Sequence, residues 1–339
     1  MPSIHNPTAT NERTKPMKKI LAITLGAAAA LCPTPENASA APKKVLVVTV
    51  TAGFRHTEGI DASDTVLPRI AEQSGAFVLD WCKQPPGMPV APKKPRPLKP
   101  DADEAAKAKF KAVEESFQAE MKTYKELEIE YRKRLTEALT PLKPENLAKY
   151  DAVIFDNTSG EMPLPDLEGF LNWIKGGKAF IGIHAATDTL RNYQAADGTK
   201  PYVDMIGAEF AGHGPQVSVD IINQDPSHPA CKDVPGTWTV FDEIYRMNGF
   251  ERKKVHGLLT LDKHPNDKTP GDYPIAWCKM YGKGRVFYTS LGHRADVWDG
   301  QTPPEYKRQN DPSIPKTYQK HLLGGILWAL GLAKGDATP

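Results

Sequence analysis

The sequence predicts an α/β protein with a doubly wound, mainly parallel sheet, and three observations carry that expectation. Residues 44–50 (KVLVVTV) form an unbroken valine-rich run, the mark of a strand buried on both faces. Residues 65–73 then show helical spacing and 77–81 form a second apolar run, so the chain opens as a βαβ unit whose strands are parallel neighbours. The alternation resumes after Tyr150, with a strand at 151–155, a helix at 164–175 ended by Gly176-Gly177, and a strand at 179–183. Further strands are expected at 217–222, 256–261, 275–280 and 285–290, with a closing helix at 318–330. No helices separate those later strands, so that part of the sheet is expected to be mixed or antiparallel.

Between the two α/β stretches lies an expected helical insertion, residues 85–141. Its first part, 85–100, is rich in proline and lysine and reads as an extended spacer. Residues 101–139 are highly charged, yet Phe110, Val113, Phe117, Met121, Tyr124, Tyr131 and Leu135 keep close to three-and-four spacing. That predicts one long helix or a helical hairpin, packed on the domain or largely solvated, with no chemistry of its own.

The N-terminus has the order of an export signal. Lys18 and Lys19 precede the apolar run 20–32, which is too short to span a bilayer, and Ala38-Ser39-Ala40 fits a cleavage site. Residues 1–40 are therefore read as a signal peptide, with Met17 as an alternative start and a mature domain over 43–332. The protein is expected to be periplasmic or secreted, without stable membrane insertion after cleavage. Lipidation at Cys32 is disfavoured by the bulky Leu31 before it. The net charge of +2 across 339 residues gives no global argument for nucleic acid. Removing the signal leaves Cys82, Cys231 and Cys278, an odd number with no C-x-x-C motif, so neither a closed disulfide framework nor a cysteine zinc site is expected.

In an open α/β sheet, ligands bind beyond the carboxyl ends of the strands. His56, His184 and His293 each follow an expected strand, and His213 lies in the glycine-bearing stretch 207–215. A histidine in isolation is more often a structural hydrogen-bonder. Four in such contexts suit either a metal or acid–base work. The expected metal set is His56, His184, His213 and His293, with zinc favoured as a divalent ion. Alternatively, His184, Glu243 and His213 act as catalytic acid and base. The polar loops add Phe54, Arg55, Asn157, Thr158, Ser159, Asp188, Tyr245 and Arg294 as expected substrate contacts. The acidic spot at 242–245 reads equally as a solvated strand edge. Asp188 either caps a helix starting at His184 or orients that histidine. His228, His256, His264 and His321 lack such contexts and read as surface or helix residues. Ser159 and Ser290 sit in no G-x-S-x-G elbow, which ranks serine hydrolysis low.

Phe54-Arg55-His56, residues 177–188 (GKAFIGIHAATD), Gly212-His213, residues 242–245 and residues 281–293 (YGKGRVFYTSLGH) together resemble the ThuA-like, or trehalose-utilisation, family. The resemblance runs from about Lys43 to Gly331, apart from 85–139. It implies a flavodoxin-like, class I glutamine amidotransferase-like fold and a link to carbohydrate metabolism. Amidotransferases of this architecture carry cysteine at the elbow where this sequence has His184, so no glutaminase activity is expected. The reading that follows is an exported enzyme acting on a sugar or keto-glycoside, as hydrolase, lyase or isomerase, through a His-rich, metal-binding pocket. Its partner would be a small-molecule carbohydrate; a homo-oligomer is left open. The rivals are a non-catalytic sugar-binding module, with Trp298, Phe54 and Tyr245 as aromatic platforms, and an interaction protein using the 101–139 helix.

Overall fold

The computed structural model describes residues 41–339; the expected signal segment, 1–40, lies outside the described residues. The βαβ opening consists of β1 (Lys43–Val48), α1 (Thr57–Ser74) and β2 (Phe77–Cys82), with the two strands parallel. Alternate residues of β1 face opposite ways, so Val45 and Val47 enter one core and Leu46 and Val48 the other. The helix starts eight residues earlier than its spacing suggests, directly after His56. It ends at Gly75, whose φ of 61° is the left-handed turn that glycine permits.

Helix α2 (Glu104–Ala138) is a single helix of 35 residues. Phe110, Phe117, Met121 and Tyr124 are half-buried, whereas Tyr131 and Leu135 are buried, with Leu139 and Leu142 beyond the helix end. The C-terminal part of the stripe is therefore built into the core beside β1, while the N-terminal turns stand largely in solvent. The extended stretch 85–100 runs back along the helix. The Tyr131 hydroxyl donates to the Pro85 carbonyl at 3.0 Å and the Arg134 guanidinium to that of Pro86 at 2.8 Å.

After α3 (Pro144–Leu147), the parallel sheet continues as β3 (Ala152–Asp156), α4 (Leu167–Lys175) and β4 (Ala179–Ile183). A short helix, α5 (Pro201–Ile206), leads into β5 (Glu209–His213), β6 (Val217–Asn223), β7 (Thr237–Asp242) and β8 (Tyr245–Asn248). Then come β9 (His256–Lys263), β10 (Pro270–Tyr281), β11 (Gly284–Thr289), α6 (Ala295–Trp298) and α7 (Ile314–Ala329).

One sheet of nine strands results, in the order β2-β1-β3-β4-β11-β10-β9-β6-β7. The pairings from β2 to β11 are parallel, and those from β11 to β7 antiparallel. The fold is thus mixed α/β with a parallel centre, and the helix-free later strands are antiparallel, as their spacing demanded. Helices α1 and α7 cover one face and α4, α5 and the end of α2 the other. Two features escape the sequence reading. β7 is not among the expected strands, although its side chains alternate between exposed and buried, and the glycine-bearing stretch 207–215 is not a loop: β5 pairs with β8 in a separate two-stranded ribbon. Among the described residues, no helix is long and apolar enough to cross a membrane.

Candidate functional site

Three adjacent parallel strands end in the same way. β3 runs into Asn157 (φ 53°), β4 into His184 (φ 46°), and β11 into a turn at Gly292 (φ 113°). A positive φ turns the backbone sharply, and only glycine takes it at no cost. At Gly292 a Cβ would also lie 2.6 Å from the Tyr318 hydroxyl, so no side chain fits. His184 is therefore strained, held by a fully buried surround at an elbow-like strand end. The turns aim His184 and His293 back over the strand ends, where His56 arrives from the β1–α1 connection. Their ring centroids form a near-equilateral triangle, 5.0 Å for His56–His184, 5.3 Å for His56–His293 and 5.2 Å for His184–His293.

Glu243 completes the group from the turn between β7 and β8. One nitrogen from each of the three histidines and a Glu243 carboxylate oxygen all lie within 4.8 Å of one another. Glu243 Oε2 is 3.4 Å from His293 Nδ1, 3.5 Å from His184 Nε2 and 4.0 Å from His56 Nε2. Asp242 fixes this turn: its carboxylate oxygens accept from the Glu243 and Gly292 amides, each at 2.9 Å, joining the acidic and histidine loops.

The protonation pattern follows from the partners. His184 Nδ1 lies 2.7 Å from the Ser290 carbonyl, which can only accept, so Nδ1 carries the proton. Nε2 is then a bare lone pair, and it faces the Glu243 carboxylate. His184 Nε2, His56 Nδ1 and His293 Nδ1 are all buried without a hydrogen-bond partner. Burial, with repulsion among neighbouring imidazoles, pushes His56 down to about 2 and His293 to about 4; burial alone dominates at His184, lowered to about 3. Neutral imidazole lone pairs gathered around a carboxylate oxygen repel it unless a cation lies among them. Three nitrogens and one carboxylate suit zinc or a similar borderline ion.

The remaining expected site residues divide in two. His213 is brought to the cluster but lies outside the four-residue group: β5–β8 pairing sets it opposite Tyr245, and its Nδ1 is 3.2 Å from Glu243 Oε1. Nδ1 also donates to the Gly214 carbonyl at 2.8 Å, leaving Nε2 as the free ring nitrogen of a side chain 42% exposed. Glu243, expected only as an acid or base, thus stands with the three histidines where His213 was expected. Tyr245 lies between the groups, its hydroxyl 3.0 Å from His56 Nε2 and its ring 4.2 Å from those of His184 and Phe210. Phe54 stands at the lip, 69% exposed, edge-on to His56 at 4.9 Å. Asp188 belongs to the rim: it pairs with Arg191 at 2.7 Å, whose guanidinium lies over Phe210. It ends a tight 3₁₀ turn from His184 rather than lying one α-turn on, so it neither caps nor orients that histidine.

Five expected contacts are engaged elsewhere. Arg294 pairs with Asp296 and the Lys307 carbonyl. Arg55 folds back onto the Thr49 carbonyl. Asn157, Thr158 and Ser159 are buried and tie loops together, Asn157 to Asp156, Thr158 to Thr189 and Ser159 to the Phe54 carbonyl. Trp298 is fully buried and Tyr245 is 3% exposed, so of the three expected platforms only Phe54 faces solvent. His228 and His321 are buried in the core rather than on the surface, and His256 and His264 are half-buried. Cys82, Cys231 and Cys278 are free, buried thiols, those of Cys82 and Cys231 pushed up to about 12 by burial.

The model of the family described as trehalose utilisation (ThuA) matches residues 103–329, about two-thirds of the chain. The chain belongs to the ThuA family. A structure described as a putative ThuA-like protein from Bacteroides uniformis is 19% identical and has a TM-score of 0.54, with 87% of this chain and 95% of that one covered. A second such protein, from Parabacteroides merdae, is 18% identical at the same TM-score, with 87% and 92% covered. At these identities the likeness speaks for the ThuA fold alone. No curated protein matches the chain. The ThuA match takes in α2 as well as the strands from β3 to β11 and all of α7, so Glu243 and all the clustered histidines except His56 lie within it.

Proposed function

We propose that this ThuA-family chain is an exported enzyme of carbohydrate metabolism that acts on a sugar or keto-glycoside, with a divalent ion, preferably zinc, held by His56, His184, His293 and Glu243. One observation carries the reading: His184 Nε2, a buried lone pair without a donor, faces the Glu243 carboxylate at 3.5 Å. Two acceptors in a buried setting are stabilised by a cation between them. Bound there, the ion supplies a Lewis acid for a carbonyl or a hydroxyl.

The chain's own groups do the rest. Ser290 fixes the His184 tautomer through its carbonyl, the outer contact that orients a metal-binding imidazole. Tyr245 holds the His56 ring through Nε2, with its hydroxyl able to donate or accept. His213 is the acid or base: Nδ1 is held by Gly214 and Glu243, and Nε2 is free to take or return a proton. A keto-sugar suits such a base because its α-proton is acidic. With histidine at the elbow and every described cysteine buried, the site offers no thiolate for a glutaminase reaction.

The test is elemental analysis of the purified protein combined with turnover of a panel of sugars, keto-sugars and glycosides. The expected result is about one divalent ion per chain and a reaction that chelation abolishes and zinc restores. A chain that takes up no ion from added zinc, yet turns over a sugar at full rate, would overturn the metal and leave only acid–base chemistry.

A further inference from the structure

Most of helix α2 packs against little that would explain its length. Tyr131 and Leu135 are its only buried residues, so the stretch 104–130, about 40 Å of helix, contains none. Helices in proteins owe most of their stability to the packing of one face, which makes a long stretch without buried residues unusual.

The side of α2 turned away from the core carries an ordered set of charges. At about 100° per residue, Glu104, Lys111, Glu115, Lys122, Glu126 and Lys133 fall within a sector of about 60°. Tyr131 and Leu135 lie about 150–170° round the helix from the middle of that sector. All six charged residues are exposed. A face of alternating charge is ordinarily solvated and laced by pairs along its own helix. Glu104 does pair with Lys107 and Lys133 with Glu130. Among the described residues, however, Lys111, Glu115, Lys122 and Glu126 have no ion-pair partner, although Lys111–Glu115 and Lys122–Glu126 have the spacing for one.

The order of these charges is self-complementary. Two copies laid antiparallel about a two-fold axis between Gln118 and Ala119 bring Glu104 opposite Lys133, Lys111 opposite Glu126 and Glu115 opposite Lys122. A two-fold axis makes each contact occur twice, and within the sector no charge meets its own sign. Ala108 then stands opposite Ile129, an apolar side chain that is 63% exposed. In a parallel pair in register, every charge would face its own copy instead.

We infer that α2 is a self-association surface through which two copies of this protein pair antiparallel. The contact is polar and its apolar side chains are few, so the dimer is weak and salt-sensitive rather than permanent. The inference is independent of the reading of the histidine cluster.

Sedimentation equilibrium of the protein without the expected signal segment tests this. At low salt it should dimerise with a dissociation constant of the order of 10 µM, and about 0.5 M salt should weaken the dimer at least tenfold. Lys111→Glu combined with Lys122→Glu makes four of the six contacts repulsive, as does Glu115→Lys combined with Glu126→Lys. Each double variant should be monomeric at about 200 µM, whereas an equimolar mixture of the two should form heterodimers, because all four contacts become attractive again. The four positions are exposed, and circular dichroism checks that the helix survives the changes. A wild-type chain that stays monomeric at about 200 µM in low salt overturns the self-pairing and leaves the face to solvent or to a different partner. Dimers that persist in either double variant overturn this face as the interface. Variants that dissociate and do not recover on mixing overturn the antiparallel register.

Discussion

Two groups of histidines lie at opposite ends of one argument. His228, His256 and His321 sit among β9, β10, α7 and the C-terminal tail, and every ring nitrogen there has a partner. His321 lies 2.7 Å from the Ala230 carbonyl and 3.2 Å from the Thr289 hydroxyl; His228 accepts from the Ala230 amide at 3.2 Å and meets the Cys278 sulfur at 3.7 Å. His256 bridges the Thr338 carbonyl at 2.6 Å and Asp225 at 3.0 Å. Through these two contacts the ring ties the C-terminal tail to the turn after β6. His56, His184 and His293 are largely buried too, yet each keeps a nitrogen without a partner, and those of His184 and His293 face Glu243 at 3.5 and 3.4 Å. Burial therefore does not mark a functional histidine. What sets the second group apart is a pair of partnerless nitrogens facing one carboxylate, the feature on which the proposed site rests.

The sharpest way to break this comparison is to truncate one histidine of each kind. His184→Ala should weaken zinc binding by at least ~100-fold with little loss of stability, because it removes a ligand and an unsatisfied nitrogen together. His321→Ala should leave zinc binding intact and cost about 2–4 kcal/mol in urea unfolding, through lost packing and two lost hydrogen bonds. If the two variants lose similar stability and neither changes zinc affinity, the distinction is wrong.

Glu243 and His213 separate holding an ion from moving a proton. Glu243→Gln should lower zinc affinity about 10- to 100-fold. His213→Ala should keep the ion and lower turnover about 100-fold, since a general base contributes on that scale. An unchanged rate in the His213 variant removes the proposed base. Tyr245→Phe, which deletes only the hydroxyl facing His56, should cost about tenfold in zinc affinity, read by competition with a chelating dye.

The smallest expected effect is on pH dependence. Burial lowers His228 and His321 to about 4, as it lowers the three clustered rings. An unfolded histidine takes up a proton below about 6.5, whereas these stay neutral in the fold. Their contribution is therefore full above about pH 6.5 and is lost as pH falls towards 4. Urea midpoints should decline over that window, and His321→Gln should make the decline shallower. An identical slope in the variant would mean that His321 titrates normally.

Much of the fold was legible because apolar periodicity is a local property. The βαβ opening, the 179–183 strand and the helix-free strands after 256 all follow from runs of a few residues. The 207–215 stretch misled because its glycines read as a loop, whereas β5 takes its register from β8, over thirty residues away. The same pairing explains His213: its distance from the cluster was set by Tyr245 and Glu243, not by its glycine neighbours. The surface-or-helix reading failed for His228, whose Cys278 partner comes from a distant strand, whereas His321 does lie in the closing helix, on its buried face.

By itself, the sequence determined the strands from β1 to β4 together with β6 and β9 to β11, the placing of His56, His184 and His293 after strand ends, and the histidine in place of a thiol at the elbow. Those are properties of short segments and of the end at which parallel strands expose their loops. Only the tertiary structure decided that Glu243 rather than His213 joins the three rings, that the end of α2 is core, and that His184 Nε2 is buried without a partner. Whether a buried polar atom finds a partner depends on groups brought together across the whole chain, and no local pattern encodes that meeting.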